Sequence, residues 1–292
     1  LGLDFGARAL GAMAIPMSSG NTKRQLMCME DFGATAFACT PSYALYLAEA
    51  ANEAGIVDKL QLKVGINGAE PWTEEMRLKI EELLNVNCFD IYGLCEITGP
   101  GVALECIHHK GMHIYEDYFY PEVLNPADHT PCADGETGEL VFTTLVKEGM
   151  PLLRYRTKDL TSIDHSTCEC GRTLPRISKF KGRTDDMKVI RGVNVFPTQI
   201  EEVLLKIDEI GPHYEILVER KNRLDVMTIT VELIDDRLLD SYAKLSELET
   251  RIKSALKSQL GLATCIRLVA PNSLRRFEGK AKRVTDLRKD GL

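Results

Sequence analysis

The sequence predicts an α/β protein with a parallel sheet, followed by a smaller α+β unit, and three observations carry that prediction. Apolar β-like runs alternate with amphipathic helical stretches up to about residue 95, the pattern of a sheet with crossover helices. From about 100 to 180 the texture changes to short strand-like pieces cut by Gly, Pro and Asp, which reads as an antiparallel or barrel-like subdomain. Beyond the Gly182 to Pro197 stretch, helical periodicity and strict alternation follow one another, as in a compact α+β unit.

Taken in order, Met13-Ala14-Ile15-Pro16, Ala34 to Cys39 and Leu62 to Ile66 are the strand-like runs of the first part. Between them, Ala44, Leu45, Leu47, Ala48 and Ala51 fall at helical spacing within Ser42 to Ala54. Thr73 starts another helix, with Glu74 and Glu75 in the first turn where carboxylates favour the dipole. Glu139 to Thr144 is the clearest strand of the middle region. In the last part Ile200, Val203, Leu204 and Ile207 mark a helix, and Met227, Ile229, Val231 and Leu233 alternate as a half-buried strand does. Leu245, Leu248, Ile252, Leu256 and Leu260 mark a second helix, and Cys265 to Ala270 a further strand. No internal repeat or low-complexity tract interrupts the chain.

A length of 292 residues accommodates two domains, and 44% hydrophobic residues supply a sizeable core. Net charge is −7 without a long basic run, which argues against nucleic acid or an anionic membrane as partner. No apolar run approaches the ~20 residues of a membrane span, and the first residues lack the pattern of a signal peptide. Nine scattered cysteines argue for reduced thiols, so a cytoplasmic enzyme is expected. The first residue is Leu rather than Met, from which a fragment is expected.

The most telling stretch is Gly182 to Pro197. It places Arg183 and Asp185 before a pair of turns, Gly192 where the backbone reverses tightly and Pro197 at a favoured first helical position. It reads as a hinge. Asp90-Ile91-Tyr92-Gly93-Leu94-Cys95-Glu96 follows an apolar run and puts a carboxylate at a strand end, where α/β folds build sites. Asn67-Gly68-Ala69-Glu70-Pro71 closes another strand, with small residues that let backbone approach a flat ligand. Arg154 to Leu160 sets Asp159 amid bases, and a carboxylate accepts from two ribose hydroxyls at once. Phe277 to Val284 sets Lys280 after a glycine, with Lys282 as its competitor. Each motif alone also fits a solvated turn, an ion-pair cluster or a basic tail. Pro16 to Lys23 imitates a phosphate loop without its glycine–lysine pattern and reads instead as the cap of a helix beginning near Asn21.

Cys106 and His113 lie seven positions apart, and Cys168-Glu169-Cys170-Gly171 adds two thiols at a glycine turn. Together they can make a Cys₃His set, from which a structural Zn²⁺ is expected. His108, His109, Cys132 and His165 are nearby substitutes, and unligated buried cysteines fit the same residues.

In this order the motifs resemble the adenylate-forming superfamily of acyl-CoA synthetases, luciferases and peptide-synthetase adenylation domains, and most nearly the phenylacetate-CoA ligases. The resemblance runs from Gly11-Ala12 and Cys39 to Ala44, through Gly192 to Glu202, to Lys280. It implies that 1–184 is the C-terminal portion of the large adenylate-forming domain, a parallel-sheet remnant with the β-rich subdomain. It also implies that 185–292 is a small mobile α+β domain hinged at Asp185. Roughly the first third of the family, with its phosphate loop, has no counterpart here, so the chain alone is expected to be inactive.

The implied reaction joins an arylacetate, phenylacetate in the nearest relatives, to ATP and then to coenzyme A. Tyr92 would flank adenine, Glu96 hold Mg²⁺, Asp159 bind ribose and Arg183 lie near ribose and phosphate. Gly68, Ala69, Glu70 and Pro71, with Asp90, Ile91 and Gly93, would border adenine and acyl substrate. Lys280 would serve adenylation, and the loop of Gly192, Val193 and Asn194 would serve thioester formation. The expected partners are thus small molecules, with a homodimer as the one protein partner left open. A related adenylyltransferase, or a nucleotide- or acyl-CoA-binding fragment without turnover, are the alternatives.

Overall fold

A computed structural model describes residues 2–288 except 19, 185–186, 222–223 and 278–280. The expected hinge residue Asp185 and the expected catalytic Lys280 lie outside the described residues. Of those described, residues up to 71 and from 79 to 184 pack as one compact unit, and 72–78 with those from 187 pack as a second.

The first part opens with α1 (Gly2–Ala9) and α2 (Thr22–Asp31), then β1 (Ala36–Cys39), α3 (Pro41–Glu53), β2 (Val64–Gly68), α4 (Glu74–Leu84) and β3 (Asn87–Leu94). β1, β2 and β3 are parallel neighbours, and α3 and α4 are their crossovers, as the alternating pattern predicts. α3 forms because Thr40 caps it, its hydroxyl accepting from the Tyr43 amide at 3.4 Å, and because Pro41 presets the first turn. Its Ala44, Ala48 and Ala51 are fully buried beside Leu45 and Leu47. Asn21 caps α2, accepting from the Arg24 amide at 3.3 Å, as expected of the 16–23 segment. Met13 to Pro16 is not a strand: it has no regular structure, and Met13 is 71% exposed. Four residues ending in a proline, with no strand paired to them among the described residues, have no ladder to join.

The antiparallel strands of the middle region divide between two sheets. β4 (Thr98–Glu105), β5 (Met112–Ile114), β9 (Ile163–Asp164) and β10 (Arg176–Ile177) extend the parallel strands into a seven-stranded sheet of order β1-β2-β3-β4-β5-β10-β9. β6 (Phe119–Leu124), β7 (Gly138–Thr144), β8 (Tyr155–Thr161) and β11 (Gly182–Arg183) form a second sheet, ordered β11-β8-β7-β6. Ile97, Val102, Met112, Ile114, Leu140, Phe142 and Ile177 make a common core, which fixes the site's supporting strands.

The second unit starts with a hairpin of β12 (Lys188–Ile190) and β13 (Val193–Val195), followed by α5 (Pro197–Leu204). A sheet of order β16-β15-β14-β17 follows, made of β14 (Ile210–Lys221), β15 (Leu224–Leu233), β16 (Cys265–Val269) and β17 (Val284–Asp286), with α6 (Tyr242–Leu260) before β16. Ile200 and Leu204 of α5 and Leu248, Ile252, Leu256 and Leu260 of α6 bury the apolar stripes read from spacing. They pack with Ile216, Val218, Ile229 and Val231 of the sheet. No helix among the described residues is long and apolar enough to cross a membrane.

Candidate functional site

The site is built around the end of β3, where the ladder to β4 is irregular between Tyr92 and Leu94. Gly93 permits that irregularity, since a Cβ there would stand 2.8 Å from the Thr98 carbonyl oxygen. Beyond it the chain turns through Cys95 and Glu96, leaving the Glu96 side chain exposed while its backbone carbonyl accepts from the Lys147 ammonium. Asp90 is not at a strand end: β3 runs on to Leu94, so Asp90 lies inside the strand, buried, with its amide donating to Glu105 Oε2 at 2.9 Å. β3 continues past Asp90 because Ile91, Tyr92 and Leu94 go on pairing with β4.

The structure brings together three residues that are far apart in sequence. The Tyr92 hydroxyl donates to Asp159 Oδ2 at 2.6 Å, and Arg183 Nη1 lies 3.3 Å from Asp159 Oδ1. The pairing of β11 with β8 places Arg183 opposite Asp159 in register. Burial, then the adjacent Asp159 carboxylate, push the Tyr92 phenol far above its ordinary value, so it stays a donor at any working pH. Asp159 keeps 14% of its side chain exposed and Arg183 42%, which leaves the group reachable from solvent. Phe180, which motif reading missed, packs its ring 4.5 Å from that of Tyr92. The signal for it was its place three residues before Arg183 on the approach to β11.

At the end of β2 the small residues meet protein first. A Cβ on Gly68 would sit 2.1 Å from the Ile91 carbonyl oxygen, so its lack of a side chain serves the close approach of β2 to β3. Ala69 has φ +70, a left-handed turn, and Pro71 is exposed. Glu70 Oε1 accepts from the Ser42 amide at 2.6 Å, placing a carboxylate at the N-terminus of α3.

Gly192, Val193 and Asn194 belong to the second unit. Arg191 (φ +51) and Gly192 (φ +80) form the tight reversal between β12 and β13, and Asn194 is exposed on the hairpin. In the same unit the stretches flanking residue 280 are anchored by buried carboxylates. Arg276 meets both oxygens of Glu232 at 2.8 Å, and Arg283 meets Glu201 at 2.9 Å while lying over the Tyr214 ring. Lys282, the competing assignment, is exposed just before that anchor.

Away from the nucleotide-type residues, Cys106, His113, Cys168 and Cys170 bring one ligand atom each to within 4.8 Å of all the others. Burial raises the Cys106 thiol and lowers the His113 imidazole from their ordinary values, whereas the Arg172 amide helps push the Cys170 thiol down to about 7. The four substitutes are engaged elsewhere: His108 with Glu169, His109 with Glu105, His165 with Asp134, and Cys132 beside Gly138.

Residues 192–288 match the family model described as AMP-binding enzyme C-terminal domain. The phenylacetate-coenzyme A ligase of Escherichia coli (strain K12) is 46% identical over 291 residues, covering 99% of this chain and 66% of that protein. The phenylacetate-coenzyme A ligase of Thermus thermophilus is 46% identical over 304 residues, covering 99% of this chain and 68% of that protein. Among solved structures, 2-hydroxyisobutyryl-CoA ligase in the postadenylation state in complex with R3-HIB-AMP matches with a TM-score of 0.89 at 30% identity, covering 96% of this chain and 61% of that one. The same ligase in complex with 2-HIB-AMP and CoA, in the thioesterification state, matches with a TM-score of 0.60 over 97% of this chain and 61% of that one. The chain therefore spans about two thirds of its curated relatives' length, and with its α/β fold and ordered motifs it belongs to the phenylacetate-CoA ligase family of adenylate-forming enzymes.

Proposed function

We propose that the protein activates an arylacetate, phenylacetate in the first instance, with ATP and transfers the acyl group to coenzyme A. The observation that carries this reading is the meeting of Tyr92, from β3, with Asp159 and Arg183 on the paired strands β8 and β11 of the second sheet. Asp159 is held in place by Tyr92 and Arg183 with part of its carboxylate exposed, and a carboxylate is the group that accepts from ribose hydroxyls. The Tyr92 and Phe180 rings offer an aromatic surface for adenine, and Arg183 adds a cation toward phosphate.

In the first half-reaction a substrate carboxylate oxygen bonds to the α-phosphorus of ATP, and pyrophosphate leaves with the electron pair of the broken P–O bond. In the second, the sulfur of CoA bonds to the acyl carbon, its proton is lost to solvent or base, and AMP leaves. Glu96 fits Mg²⁺, since that ion uses one or two carboxylates and completes its shell with phosphate oxygens and water, and this carboxylate is exposed. The ion would supply neutralisation of phosphate charge. Lys280 and the Gly192 to Asn194 hairpin are assigned to the first and second half-reactions on their match to the family motifs. The division of the chain at Asp185 into a large domain portion and a small domain belongs to the same reading. The Cys106 cluster has no part in this chemistry.

The test is pyrophosphate exchange into ATP by the full-length protein, followed by thioester formation on adding CoA. Exchange that depends on phenylacetate, with phenylacetyl-CoA as product, supports the reading. Exchange indifferent to any carboxylic acid, or transfer of AMP to another acceptor, sinks it.

A further inference from the structure

We propose that Cys106, His113, Cys168 and Cys170 form a closed structural zinc site. Its geometry is independent of the ligase reading. The Sγ atoms of Cys106 and Cys168 are 3.7 Å apart, and Cys170 Sγ is 3.5 Å from His113 Nε2. A tetrahedral Zn²⁺ with Zn–S of about 2.3 Å and Zn–N of about 2.05 Å requires S···S edges of about 3.8 Å and S···N edges of about 3.5 Å. Two edges on opposite sides of the tetrahedron thus already have the lengths that the ion would impose. A disulfide is not an alternative for the first pair, because an S–S bond is about 2.05 Å long.

Hydrogen bonds around the cluster orient His113 and reach Cys170. His113 Nδ1 lies 3.3 Å from the Leu174 carbonyl oxygen, which only accepts, so Nδ1 carries the proton and the Nε2 lone pair faces the sulfurs. Arg172 Nη1 donates to Cys170 Sγ at 3.6 Å. A cationic donor aimed at sulfur suits a thiolate, and three thiolates around a dication leave a charge that the Arg172 guanidinium offsets.

The ligands come from two distant stretches. Cys106 and His113 bracket the turn from β4 to β5, while Cys168 and Cys170 sit on the loop between β9 and β10. In that loop the Gly171 amide closes a turn onto the Cys168 carbonyl at 2.9 Å, with Gly171 at φ +83. The short strands β9 and β10 hold the sheet edge with two residues each, too few to be stable by pairing alone. A metal clip supplies what the ladder lacks. Cys106, Cys168 and His113 are buried at 5%, 3% and 2% exposure, and four protein ligands leave no position for water, so the ion supports folding and not turnover.

Elemental analysis of protein purified without added metal is expected to find about one zinc per chain. Cobalt exchanged into the wild-type site should give the visible absorption of a tetrahedral thiolate complex, a readout that needs no variant to fold. Cys168→Ser with Cys170→Ser should lose the metal and lower the melting temperature by on the order of 5 °C, with both half-reactions of the full-length enzyme reduced together if at all. Cys95→Ser, at an exposed cysteine outside the cluster, should retain both metal and stability. Protein that is metal-free at full stability, zinc retained by the double variant, or iron in place of zinc would each overturn the proposal.

Discussion

Asp159 is the residue on which the nucleotide reading turns, because its two oxygens are already committed to Tyr92 and Arg183 and its position is therefore preorganised. Asp159→Ala should weaken AMP or ATP binding to the full-length protein about tenfold or more in calorimetry, the loss of charge-assisted bonds worth roughly 1.5–3 kcal/mol. Tyr92→Phe keeps the ring and removes only the hydroxyl bond, so its penalty should be smaller, about 1 kcal/mol. Unchanged affinity in Asp159→Ala would take that residue out of the ribose role. Gly68 carries the opposite lesson at the same scale: its missing side chain is demanded by the Ile91 carbonyl, whatever else the turn binds.

Among the elements, residues 274–276, which follow β16, are tied to Glu232 of β15 by hydrogen bonds. Glu232 is 3% exposed and bonded to Arg276 through both oxygens, and the Leu274 amide donates to it as well. Burial alone would raise its carboxyl, but Arg276 and that amide outweigh burial and hold it below the ordinary 4.5. A carboxylate depressed on folding contributes stability above its unfolded value and loses it as pH falls through the folded value. Arg276→Met strands a buried carboxylate and should cost on the order of 3–5 kcal/mol near neutral pH. The gap from wild type in urea melts should narrow as pH drops below about 4.5. A gap that stays constant with pH would show that lost packing, not the ion pair, is responsible.

For the molecule as a whole, the family reading assigns two half-reactions to two parts of the chain, Lys280 to adenylation and the Gly192 to Asn194 hairpin to thioester formation. In the full-length enzyme Lys280→Ala should depress pyrophosphate exchange by at least about a hundredfold, the order of one lost transition-state charge contact. CoA attack on supplied acyl-adenylate should remain largely intact. Equal loss of both half-reactions would defeat the assignment.

Local chemistry alone determined much of this protein. The cap near Asn21, the Pro197 start of α5, the apolar stripes of α3 and α6 and the alternation in β15 were legible because each depends on neighbours within a few residues. The motifs around Tyr92, Asp159 and Cys168 were legible as residue types at suggestive spacings. Only the tertiary structure decided that β4, β5, β9 and β10 extend the parallel strands, that Met13 to Pro16 has no ladder, and that Asp90 is interior. It also decided that Phe180 packs at a tilt against Tyr92, that Glu70 meets the start of α3, and that Cys106 is grouped with His113, Cys168 and Cys170 and not with its nearer histidines. The reason is that pairing and burial are properties of partners remote in sequence: which strand adopts an edge, or which side chain a carboxylate meets, depends on chain segments that no local spacing identifies.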